Sequence, residues 1–231
     1  MLGPVTTLPE DLLLLCAAPA DGRLSWPTDL SYALAGAVLA ELLDAGGLAL
    51  DGRRLVTLPG VPAAPLPHPE LEAARREIAA LLGRSGRTGV LRALNRLHRV
   101  GRRQYYLDSL VARGLVRTDA RRLLGFIPAN RYYAVDPGLR DDRLALLDAI
   151  LRTDGPRLTD QDGRPDLDPH TRALQLTALA GSCGLGRSLY PGPRNPIRRR
   201  LDEIVRVDPL AHAVREAIRN ANDTGAVAAT A

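Results

Sequence analysis

One Phe, one Trp and six Tyr are all the aromatic residues in a chain of 231, although hydrophobic residues reach 45%. The core therefore has to be built from Leu, Ala and Val. Leu and Ala are strong helix formers, whereas sandwiches and barrels draw on β-branched and aromatic residues. The composition predicts a mainly α protein of packed helices.

The patterning agrees. Thr7, Pro9 and Glu10 have the spacing of a capping box with Pro in the first turn, and open a short helix that Pro19, Asp21 and Gly22 stop. Leu30, Leu34, Val38 and Leu42 fall at helical spacing in a second helix ending at Gly46-Gly47. Residues 48–50 and 55–58 around Asp51-Gly52 predict a β-hairpin. Residues 58–69 hold five prolines and predict an extended linker. Helices are expected over 70–82, 88–98, 102–113, 141–152, 168–180, 196–205 and 208–220, and strands at 115–116, 123–127 and 132–135. The organisation expected is one helical domain over 1–220, followed by a disordered small-residue tail over 221–231. Helix followed by hairpin occurs twice, at 39–58 and 107–135. That is the grammar of a winged helix, and keeps a nucleic-acid-binding protein open as the alternative function.

All 31 basic residues are Arg and none is Lys, the mark of a GC-rich, bacterial gene. Eleven Arg and two acids lie between Arg84 and Arg122, so that segment carries +9 of a net +5 and the rest carries −4. Arg92, Arg96, Arg99 and Arg103 share one helix face if the helix runs through Gly101. Guanidinium forks match phosphate, so this face suits an anionic surface. Leu123, Leu124, Phe126 and Ile127 follow Arg121-Arg122 and include the sole Phe. They are either a core strand or an apolar tip suited to a bilayer interface or a partner protein. Trp26, beside Pro27, is core, an interfacial anchor or a wall of a headgroup site.

Enzymatic chemistry finds no foothold. No phosphate loop, nucleophile elbow or zinc-helix motif is present, and His68, His98, His170 and His212 are scattered. The acids at 160–168 lack the spacing of a calcium loop, and Gly181–Gly186 follows a helix where a nucleotide loop would follow a strand. No cofactor and no metal is expected. Cys16 and Cys183 make no disulfide framework. The first nine residues lack a basic region, and the longest apolar run, 30–43, is shorter than the ~20 residues that span a bilayer. A cytoplasmic, at most peripherally membrane-associated protein is expected.

Several segments together resemble the Golgi phosphoprotein 3 family: residues 7–15, 22–26, 39–43 with 47–50, 110–116 with the hairpin after it, and 172–179. The resemblance spans roughly Thr7 to Asn220. It implies a single-domain helical bundle with short hairpins. The function implied is that of a non-enzymatic adaptor that binds phosphatidylinositol 4-phosphate on membranes and the cytoplasmic tails of membrane proteins. The headgroup-site Trp falls on Trp26, and one family Arg on Arg103. A second Arg position falls on Val100, beside Arg99 and Arg102, and a third falls on Ala35. The site implied is Trp26, Arg99, Arg102 and Arg103, with Leu123, Leu124, Phe126 and Ile127 as the membrane-contacting hairpin. The missing Arg at Ala35 and Val100 implies general anionic-phospholipid binding with weakened 4-phosphate selectivity.

Overall fold

Helix α1 (Leu8–Leu15) is buried along its whole length. A helix so largely apolar belongs in the interior of a protein. The computed structural model describes residues 6–99, 103–120, 122–123, 127–128, 130–152, 169–192 and 195–229. Helix α2 (Leu30–Asp44) leads into strands β1 (Leu48–Asp51) and β2 (Arg54–Thr57), then α3 (Pro69–Leu82), β3 (Arg87–Gly89), α4 (Val90–Arg99) and α5 (Arg103–Ala112). Strands β4 (Val116–Asp119), β5 (Arg122–Leu123), β6 (Ile127–Pro128) and β7 (Arg131–Ala134) follow. The chain closes with α6 (Gly138–Arg152), α7 (Pro169–Ser182), the single turn α8 (Gly186–Leu189), α9 (Pro196–Val207) and α10 (Pro209–Ala229). The protein is mainly α, with small antiparallel sheets, as the composition requires.

Helix α2 packs against α1, α4, α7 and α10. Gly36 makes this possible. A Cβ there would lie 2.6 Å from Val214 Cγ2 and 2.8 Å from Leu179 Cδ2, so only glycine lets α10 and α7 approach so closely. A smaller apolar cluster, including Ile150, Leu174, Ile204 and Val205, seals α6, α7 and α9. The proline-rich stretch is irregular and straps the bundle. Ala64 N–H donates to Ala45 O at 2.6 Å, Arg75 Nη1 to Ala64 O at 2.9 Å, and Leu66 packs on the core.

Acidic side chains around α1 meet arginines from three distant parts of the chain. Glu10 is 1% exposed and Asp11 5%, so both charges need partners. The Glu10 carboxylate accepts Thr7 N–H at 2.8 Å, closing the capping box, then Ser109 Oγ at 2.7 Å and Arg113 Nη1 at 3.2 Å from the end of α5. Asp11 accepts Arg143 Nε of α6 at 2.9 Å and Arg172 Nη2 of α7 at 3.2 Å. Arg172 Nη1 also reaches Glu41 of α2 at 3.3 Å, and Glu41 accepts Leu8 N–H at 2.5 Å. Arg143, itself buried, gives its other nitrogens to Leu139 O and Thr6 Oγ1, at 2.9 and 2.8 Å. This ionic clasp fixes α1 to α2, α5, α6 and α7 together.

The Arg92–Arg103 face is shared between α4, which ends at Arg99, and α5, which begins at Arg103; the stretch at Gly101 between them lies outside the described residues. Three expectations change. The start expected for α4 at Thr88 is strand β3 instead, because its backbone pairs with β2 and adds a third strand to the first hairpin. The first hairpin turns on Gly52-Arg53, with Gly52 at φ +55°, and Asp51 belongs to the strand. Helix α10 runs to Ala229 through the stretch expected as a tail, and alanine, the best helix former, is frequent there.

Candidate functional site

Trp26 is set by strand-like pairing with the second hairpin. Leu24 N–H donates to Tyr132 O at 2.9 Å, and Ala134 N–H to Gly22 O at 2.8 Å. Gly22 adopts φ +70°, and a Cβ there would meet Ala134 O at 2.9 Å, so this junction requires glycine. The pairing lays the half-buried indole beside Tyr132, with ring centroids 6.5 Å apart. Arg103, first residue of α5, extends its guanidinium over the indole, 4.4 Å from the centroid. Next in sequence, Gln104 holds the Tyr132 hydroxyl at 3.0 Å. An exposed guanidinium anchored on an aromatic face loses less freedom when it grips an anion.

Arg103 and Gln104 form one wall of a cavity of about 300 Å³. The opposite wall is α2, with Ser31, Leu34, Ala35 and Val38, and Leu97 and His98 of α4 complete it. His98 Nε2 and Ser31 Oγ share a hydrogen bond of 3.0 Å, and the imidazole stacks on Tyr32 with centroids 3.9 Å apart. The polar groups at the mouth are thus a guanidinium, an imidazole, a hydroxyl and an amide. That set can offer several hydrogen bonds to phosphate oxygens.

The fold brings together Trp26, Arg103 and Ala35, which are far apart in the chain. Arg99 is the last residue of α4, and Arg102 lies outside the described residues. In the expected hairpin, Leu123 pairs with Ile127 and Arg122 with Pro128. This continues the register in which Asp119 faces Arg131 and Val116 faces Ala134, so β4–β7 form one ribbon. Leu124 and Phe126 lie outside the described residues. Ser31, His98 and Gln104 were missed by sequence reasoning. Ser31 and His98 are 67 positions apart, and no local spacing signals their meeting.

Arg96 lies 3.2 Å from Glu77, so part of the α4 arginine row is neutralised. Arg113 is spent on buried Glu10. Burial pushes the Cys183 thiol up to about 12 and that of Cys16 higher still, which leaves both protonated and inert. Among the described residues no group of three or more His, Cys, Asp or Glu could hold a metal, and no helix is long and apolar enough to cross a membrane.

No curated protein matches this chain. The family model of Golgi phosphoprotein 3 (GPP34) matches residues 8–221, from the first residue of α1 into α10. With nearly its whole length matched and a mainly α bundle carrying short hairpins, the chain belongs to the Golgi phosphoprotein 3 family.

Proposed function

We propose that this protein is a peripheral membrane adaptor that takes an anionic phospholipid headgroup into the cavity between α2, α4 and α5. Membership of the Golgi phosphoprotein 3 family supports this class. The observation that carries the reading is Arg103, anchored 4.4 Å over Trp26 and lining the same cavity as Ala35. A cavity of about 300 Å³ accepts one phosphorylated headgroup and little more. With alanine at position 35, the site offers a single guanidinium wall and binds several anionic lipids with a modest preference for phosphoinositides. The apolar ribbon end at Leu123 and Ile127, with Leu124 and Phe126, adds insertion into the bilayer, and Arg99 and Arg102 add charge beside it. Protein tails recruited to the membrane are the cargo such an adaptor would hold.

Co-sedimentation with vesicles of graded anionic content tests this. Arg103→Gln is expected to lose both the general attraction of one charge, about 1 kcal/mol, and charge-assisted hydrogen bonds worth about 1.5–3 kcal/mol. Arg92 is exposed on α4 and unpaired among the described residues, so Arg92→Gln loses only the first. Trp26→Leu should lower affinity without changing its salt dependence, since the indole carries no charge. Equal losses from Arg103→Gln and Arg92→Gln would mean diffuse electrostatics and no pocket. A duplex-DNA shift at matched salt is expected to show weaker binding than the vesicles.

A further inference from the structure

A larger cleft lies elsewhere. It measures about 790 Å³ and lies between the segment leading into α2, the turn after α7, α8, α9 and Arg215 of α10. Its wall carries the guanidiniums of Arg187, Arg198, Arg199 and Arg215, against the carboxylates of Asp29 and Asp202 only. Arg215 is held by Asp202 at 2.8 Å and by Gly181 O at 3.2 Å, and Arg198 donates to Gly192 O. Arg187 and Arg199 are exposed and have no partner among the described residues. Several other arginines take a carboxylate three or four residues away: Arg75 with Glu72, Arg152 with Asp148, and Arg200 with Glu203 on α9 itself. Helix α9 thus pairs Arg200 with a neighbouring acid and leaves Arg199, which lines the cleft, unpaired.

The placement also runs against the helix dipole. Arg198 and Arg199 stand in the first turn of α9, where the positive end of the peptide dipoles disfavours cations. A cluster of like charges there lowers stability unless an anion compensates it. Guanidiniums converging on an open cleft supply the fork geometry that phosphoryl oxygens accept. We infer that this cleft is a second phosphate-binding site, which takes a phosphate-bearing anion on Arg187, Arg198, Arg199 and Arg215, separately from the Trp26–Arg103 cavity. The two sites flank the start of α2: Asp29 borders the large cleft and Ser31 the smaller cavity. The phosphate belongs either to a lipid headgroup or to a soluble phosphate ester.

The test compares the parent with R187Q/R199Q, both surface positions, and with R103Q as the control for the other site. Thermal melting is followed against inorganic pyrophosphate at constant ionic strength. In parallel, the proteins are floated with phosphatidylcholine vesicles containing phosphatidic acid. Pyrophosphate should raise the melting temperature of the parent and R103Q saturably. In R187Q/R199Q the affinity should fall about tenfold per guanidinium removed, the loss of one charge-assisted hydrogen bond each. Without anion, R187Q/R199Q should melt no lower than the parent, because it relieves the repulsion. If R187Q/R199Q also loses vesicle binding beyond R103Q, the phosphate is a lipid's; if vesicle binding is unchanged while pyrophosphate binding is lost, it is a soluble ester's. An unchanged pyrophosphate response in R187Q/R199Q, or an equal response of the parent to chloride, overturns the inference.

Discussion

Asp44 shows what one poorly matched pair does to stability. One carboxylate oxygen accepts Gln175 Nε2 at 3.0 Å, while its other oxygen and Gln175 Oε1 have no partner among the described residues. Burial raises the Asp44 pKa from 3.8 to about 6; repulsion from Glu41 adds to this, and the Gln175 bond and Arg172 oppose it. The folded state therefore holds a proton that the unfolded chain releases, and stability falls as pH rises from about 4 to about 6. Asp44→Asn offers an amide donor to the vacant Gln175 oxygen. It should gain about 2 kcal/mol near neutral pH and flatten that slope in urea melts taken across the range. Ala35 is the other residue where one side chain decides an outcome. Ala35→Arg puts a second guanidinium into the Arg103 cavity, and should sharpen the preference for phosphoinositide vesicles over phosphatidylserine ones while lowering the melting temperature of the free protein. Trp26 and Arg103 were legible in the sequence as an isolated indole and a family position. The arginine cleft was not. The six Arg and two acids between Arg187 and Arg206 are masked by acids elsewhere outside 84–122, where the net charge is −4.

Among the elements, α1 is the most dependent on its surroundings. Its capping box was readable from Thr7 and Glu10, because those partners are three residues apart. The clasp was not, because Glu10, Asp11 and Glu41 meet arginines 103 to 161 positions away. The segments that carried the resemblance contain Glu10, Asp11, Glu41, Arg113 and Arg172, every charged group of this clasp except Arg143. The likeness was thus chiefly one of architecture, and it survives the loss of a headgroup arginine at Ala35. Asp11→Ala leaves the buried Arg143 side chain, 7% exposed, without its carboxylate. The expected cost is about 3–5 kcal/mol in denaturant unfolding. A loss within error of zero would mean that water or Glu41 takes over the charge.

On the scale of the whole molecule, the β4–β7 ribbon is the non-helical part of the candidate membrane contact. Its unbroken register carries Leu123 and Ile127 to the end opposite the helix junctions. Leu124→Ser with Phe126→Ser should weaken vesicle binding and leave any DNA shift unchanged, since only a bilayer rewards apolar side chains there. Vesicle binding equal to the parent's would remove the ribbon from the membrane contact. The clasp has a consequence in time as well as in space. Synthesis delivers α1 first, whereas Arg172 comes 161 residues after Asp11. Until α7 emerges, docking α1 against α2 would bury Glu10, Asp11 and Glu41 together without their full complement of countercharge, so the helix most central to the finished core is among the last to settle. A chain cut before α7 is expected to keep Asp11 and Glu41 short of the Arg172 charge, and so to stay more open than the whole, although Arg113 and Arg143 are already in place.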